Sequence, residues 1–153
     1  MNLMEIINRK NYLATIALSE GSKIFRHLYV KLNGEEKDIL ENGNLSCAIF
    51  VSAIIHRFNS TERNLKLINE IHATVLSTVK DLKSCGWYEI KSLRPGAVIS
   101  WKKSPQAGHP HIGFYISDDH AISNSSEHRE ARSHNIKFDS RELDKIYWHD
   151  FLN

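Results

Sequence analysis

The sequence predicts one α+β domain, a helical N-terminal half packed on an antiparallel sheet of about five strands. Three observations predict it. Residues 2–83 hold no Pro and carry apolar residues at helical spacing. Residues 94–150 hold all three Pro (Pro95, Pro105, Pro110) and short β-branched or aromatic runs. The 153-residue length suits a single core. Residues 1–153 are therefore read as one domain, helical over 2–86 and sheet-forming over 94–150.

The elements follow in order. A first helix is expected over residues 4–19, stopped by Gly21. A second apolar segment, 24–32, ends at the turn signal Asn33-Gly34. A polar loop at 41–44 precedes the clearest buried helix, 46–58, in which Cys47, Val51, Ile54, Ile55 and Phe58 form one stripe. A long helix is expected next, capped by Ser60 or Thr61 and carried by Leu65, Ile68, Ile71, Val75, Val79 and Leu82 to a stop at Gly86. The texture then changes. A turn at 93–96 leads to a strand at 97–101 and a loop at 104–110. Residues 111–117 alternate: Ile112, Phe114 and Ile116 face one way, His111, Gly113 and Tyr115 the other. Asp118-Asp119 turns the chain into a strand at 121–125, and further strands are expected near 135–138 and 145–148.

Composition excludes several function classes. Lys+Arg is 20 against 18 Asp+Glu, and this near balance argues against a general binder of nucleic acid or membrane surface. Apolar residues at 41% and charged residues at 25% exclude wholesale disorder. Cys47 and Cys85 cannot build a disulfide framework and suit a reducing compartment. The longest apolar stretch, 48–55, is broken by Ser52 and is far short of the ~20 residues of a membrane span. Glu5, Arg9 and Lys10 interrupt the N-terminal segment, so no signal peptide is expected and the chain is placed in the cytoplasm by default. No phosphate loop, dinucleotide fingerprint or nucleic-acid motif occurs, so neither a cofactor nor a nucleic-acid partner is expected.

Two residues point to chemistry. Cys47 opens a helix just after Ser46 and near Asn44, either of which can cap it. Unpaired N–H groups and the positive end of the helix dipole lower a thiol pKa there and can hold an oxyanion. His111 opens its strand, and Gly113 on the same face leaves room beside it. Together they form a candidate nucleophile and base. A third residue to orient the imidazole comes from 121–126. Ser123 shares the face of His111 if Ile122 joins the apolar face; Asn124 does so if the hairpin loop holds two or four residues. Both stay open. His109, His111, His120 and His128 are a conceivable zinc set, but Pro110 separates the first two and no zinc motif is present, so no metal is expected. His27, His56, His72, His134 and His149 read as surface or packing residues, and Cys85, at a helix end, reads as the less reactive thiol. The loop at 102–109 is placed to border a substrate groove.

These residues carry a family resemblance. Asn44-Leu45-Ser46-Cys47-Ala48-Ile49-Phe50-Val51 resembles the D-C-S-G-x-V helix start of the NlpC-type, papain-like cell-wall peptidases. Arg94-Pro95-Gly96-Ala97-Val98-Ile99-Ser100-Trp101 is similar to the P-G-D-x-x-x-W/F strand of that family, and His111-Ile112-Gly113-Phe114-Tyr115 to its H-x-G-I-Y strand. The resemblance implies a papain-like fold and a cysteine hydrolase that cleaves amide bonds, often in peptidoglycan stem peptides, through a thioester. It implies Cys47 as nucleophile, His111 as general base and a peptide or peptidoglycan fragment as substrate. The family's third residue, usually His, falls on Ser123, with Asn124 one place on. An upstream Tyr helps the oxyanion site in this family, and Tyr29 is the candidate. Ser46, Ala48 and Ala97 depart from the family's Asp, Ser and Asp. Two other readings stand beside this one. One is a non-catalytic peptide- or glycan-binding module on the same fold. The other is a thiol acyltransferase or protease with a cytoplasmic substrate.

Overall fold

A computed structural model describes residues 3–153. Residue 2, where the helical half is expected to begin, lies outside the described residues. Helix α1 (Asn8–Leu18) starts later than expected and buries only Tyr12 and Ile16, one turn apart on one face. Tyr12 anchors it. Its ring packs edge-on against Phe58, Phe114 and Phe151, and its hydroxyl donates to the carbonyl of Gly96 at 3.0 Å.

The next segment is not helical. Strands β1 (Tyr29–Leu32) and β2 (Glu35–Asp38) form a hairpin across Asn33 and Gly34, whose φ angles are 52° and 88°. Two consecutive left-handed residues match the twist of a two-residue hairpin, which is why Asn-Gly folds the chain back here.

Helix α2 (Cys47–His56) forms where the stripe predicts it, but it is buried almost all round, Ala48, Ile49, Phe50 and Ser52 included. The long helix expected from residue 60 is a second correction. Residues 60–73 are irregular, and α3 spans only Val75–Ser84. Side chains hold that backbone instead of a helical ladder. Asn59 Oδ1 accepts from the N–H of Leu67 at 2.7 Å, and Asp81 accepts from the N–H groups of Asn69 and Glu70 and from His72 Nε2. Helix α3 begins only where Thr74 accepts from Ser77 N–H and caps it.

The main sheet has six strands: β3 (Tyr88–Glu89), β4 (Val98–Trp101), β5 (His111–Ser117), β6 (His120–Ser125), β7 (Glu130–Asn135) and β8 (Leu143–Trp148). Their order is β3-β8-β4-β5-β6-β7, antiparallel throughout. The strand expected near 135–138 lies earlier, as β7, and Phe138–Ser140 is a 3-10 turn. The protein is therefore α+β, with α2 laid on the Ile112, Phe114 and Ile122 face of β5 and β6; Phe50 meets Phe114 edge-on at 5.6 Å. Among the described residues no helix is long and apolar enough to cross a membrane.

Candidate active site

One register shift decides which polar residue joins His111. The two-residue turn at Asp118-Asp119 (φ 50° and 59°) sets Ser117 opposite His120. Continued without interruption, that register would put Asn124 across from Gly113. A bulge at Ile116 moves the pairing by one, so that Phe114 faces Ile122, Ile122 stays on the apolar side and Ser123 comes round to the His111 side. Gly113 permits the approach: a Cβ there would lie 2.8 Å from Cβ of Ser123 and 2.6 Å from the carbonyl oxygen of Ile122.

Ser123 Oγ lies 2.8 Å from His111 Nε2 and 2.7 Å from His134 Nε2. Asn124 does not orient the imidazole. Its amide points to the other side and donates to the carbonyl of Gly43 at 3.1 Å, tying the loop that leads into α2. Gly43 is required there, because its φ is 88° and a Cβ would meet Arg129 at 2.8 Å.

His134 is the packing residue the sequence suggests, half-buried against Trp101 and Phe138, and it also bonds Ser123, which the sequence does not suggest. Cross-strand pairing sets Ser123 opposite Arg132, so His134, two residues on, shares its face. A strand placed at 130–135 would have revealed it. Phe138 and Trp101 pack against both imidazoles.

The hydrogen-bond chain fixes the proton positions. His134 Nδ1 lies 2.9 Å from the carbonyl of Asn135, which can only accept, so Nδ1 carries the proton. Nε2 of a neutral His134 is then an acceptor, and Ser123 must donate to it. The Ser123 oxygen in turn accepts from His111 Nε2–H. A neutral His111 is left with its lone pair on Nδ1. Burial holds both imidazoles below the ordinary His range, His111 well below it, and so keeps them neutral near pH 7.

Cys47 sits at the first turn of α2, 7% exposed. Its sulfur faces the N–H of Ile112, the residue after His111, together with the N–H groups of Ala48 and Cys47 itself. The thiol thus lies beside the backbone at the start of β5, and no hydrogen bond joins it to the His111 imidazole. The expected lowering of the thiol pKa is not found. Burial pushes it up to about 11, outweighing the N–H groups and the positive charge of Arg141. Ser46 stands at the cap position, but its buried hydroxyl has no partner, and Asn44 donates to Glu41 instead. The first N–H groups of α2 carry no side-chain cap.

Two further placements matter. Tyr29 lies on the exposed β1–β2 hairpin, 67% exposed and stacked on His27, so it does not belong to this constellation. Arg141 does belong to it and had no sequence signal: it is buried, and its Nη1 donates to the carbonyls of Lys102 at 3.1 Å and His109 at 3.0 Å. A cavity of about 290 Å³ is lined by His111, Ser123, His134 and Arg141. A second, of about 620 Å³, is lined by Asn44, Ser104, Gln106, Gly108 and His109. The two share Ser126 and Asp139. Among the described residues, no three His, Cys, Asp or Glu side chains gather as a metal would require.

No protein-family model matches the chain, and no curated protein matches it.

Proposed function

We propose that this protein is a cysteine hydrolase of the papain-like, NlpC type that cleaves an amide bond, with a peptidoglycan stem peptide as its substrate. One observation carries the reading: a helix-start thiol lies against the N–H that follows a buried imidazole, and the hydrogen-bond chain through Ser123 leaves that imidazole's lone pair on Nδ1. Two neighbouring cavities, one lined by His111 and both by Ser126 and Asp139, would take an extended peptide.

The resting pair is neutral, so the thiol is activated during attack and not before it. His111 Nδ1 takes the proton from sulfur as the S–C bond forms at the carbonyl carbon. The uncapped N–H groups at the start of α2 stabilise the oxyanion. The C–N bond then breaks, the imidazolium returns its proton to the departing amine, and a thioester remains on Cys47. Water hydrolyses it, with His111 removing the water's proton, and the thiol is restored.

A thiol held at about 11 and 7% exposed also favours the second reading, a binding module without catalysis. Mass analysis of stem peptides incubated with wild type, Cys47→Ala and His111→Ala separates the two. The hydrolase reading expects cleavage by wild type alone. Binding without cleavage by wild type, or cleavage retained by Cys47→Ala, overturns it.

A further inference from the structure

We infer that the protein pairs with a second copy of itself by exchanging arms: residues 3–7, which precede α1, lie in an apolar groove between α1 and α2 of the other copy. The pairing goes beyond the hydrolase reading and does not depend on it. The first ground is the arm. Leu3, Met4, Ile6 and Ile7 form an irregular segment without a turn, and they are 91%, 94%, 55% and 61% exposed. Four large apolar side chains among five residues face water, at a hydrophobic cost that a covering surface removes.

The second ground is the groove. A cavity of about 540 Å³ lies between the C-terminal halves of α1 and α2, walled by Leu18, Ile24, Phe25 and Ile54. Leu18 and Ile24 are 85% and 81% exposed, although they stand beside the core residue Ile54. Thr15 and Ser19, also in the wall, give their hydroxyl protons to the carbonyls of Asn11 and Ile16. Their lone pairs remain for the N–H groups of an extended strand. The third ground is charge. Arg57 is the charged side chain of the groove and Glu5 that of the arm, and among the described residues neither takes part in an ion pair. An arm seated in the groove matches apolar to apolar and acid to base. The fourth ground is direction. The groove starts at Thr15, about 10 Å along α1 from Asn8. Ile7 is extended (φ −85°, ψ 90°), so the arm runs on from the start of the helix, away from its own groove. A copy related by a two-fold axis receives this arm and returns its own, which doubles the buried surface and closes the pair.

Sedimentation velocity of the full chain, from about 1 µM to about 500 µM, tests the pairing. A species of twice 17.6 kDa is expected to grow in with concentration. Ile6→Asp on the arm and Leu18→Glu in the groove are each expected to leave a monomer with the far-UV circular dichroism of wild type. Both positions are more than half exposed, so neither change opens the core. Arg57→Glu sets two acids together and is expected to weaken dimerisation about tenfold or more, and Glu5→Arg/Arg57→Glu is expected to restore it. A wild type that stays monomeric at every concentration overturns the pairing, whether its arm rests on its own groove, on another partner or on nothing. A dimer that persists in Ile6→Asp or Leu18→Glu overturns it too, as does one that the Glu5 and Arg57 exchange does not restore. If one variant loses its fold, the other decides. The groove lies at the opposite end of α2 from Cys47, so its failure leaves the hydrolase reading standing, and absence of cleavage leaves the pairing standing.

Discussion

Ser123 has one hydroxyl proton and two imidazoles to serve, and the carbonyl of Asn135 decides which of them receives it. In the proposed mechanism His134 is therefore a positioning residue for His111, two hydrogen bonds away. Replacing His134 with Ala frees the Ser123 hydroxyl to donate to His111 Nε2, which moves the ring proton to Nδ1 and removes the base. The expected result is a change of tautomer in the ¹⁵N shifts of His111 and a fall in kcat of about tenfold or more with KM kept. Unchanged ¹⁵N shifts would remove His134 from the mechanism. At Cys47, burial outweighs the helix N-terminus. Site-resolved alkylation of the free protein should modify the more exposed Cys85 ahead of Cys47 at pH 7–8. The Cys47 rate should climb toward a pKa of about 11. An apparent pKa for Cys47 below the unperturbed ~8.5 would contradict that balance.

At the scale of elements, the site depends on strand register. Gly113→Ala places a methyl group within 2.6 Å of a carbonyl oxygen and 2.8 Å of Cβ of Ser123. It should cost about 1–3 kcal/mol by overpacking and break the His111–Ser123 bond; a denaturant midpoint equal to wild type would contradict this. The same elements show what the sequence makes legible. Alternation along 111–117 gives β5 its residues and its faces, and the apolar stripe places Cys47 at the start of α2. The apolar pattern, with Ile122 among the core residues, favours Ser123 over Asn124, but it does not reveal the bulge at Ile116 that brings Ser123 round. Residues 60–73 carry helical spacing of apolar residues, but Asn59 and Asp81 take the backbone N–H groups that a helix would use. Those partners lie 8 to 12 residues apart, beyond helical spacing, and His134 joins Ser123 only through the pairing of β6 with β7, which a strand placed at 130–135 would show.

At the scale of the whole molecule, three imidazoles couple stability to pH. Burial lowers His111, His134 and His149 relative to an unfolded chain. The sign follows directly. Below the unfolded pKa near 6.5 the unfolded state binds protons that the folded state refuses, so stability is full above that pH and falls as pH drops. Hydrogen bonds from His72, Asn69 and Glu70 outweigh burial and hold Asp81 low, which adds a second loss below about pH 4. Each 1 kcal/mol lost should lower Tm by roughly 2–4 °C for a chain of this size. A Tm that stays level from pH 8 to about pH 5 would contradict neutral buried histidines.

The most direct test of the central claim is covalent. Wild type is mixed with a stem peptide, quenched in acid within the first turnovers, and mapped by mass for an acyl group on each cysteine. The account predicts an acyl adduct on Cys47, none on Cys85, and none on either thiol in Cys47→Ala. Peptide cleavage without acylation of Cys47, or acylation confined to Cys85, would contradict it.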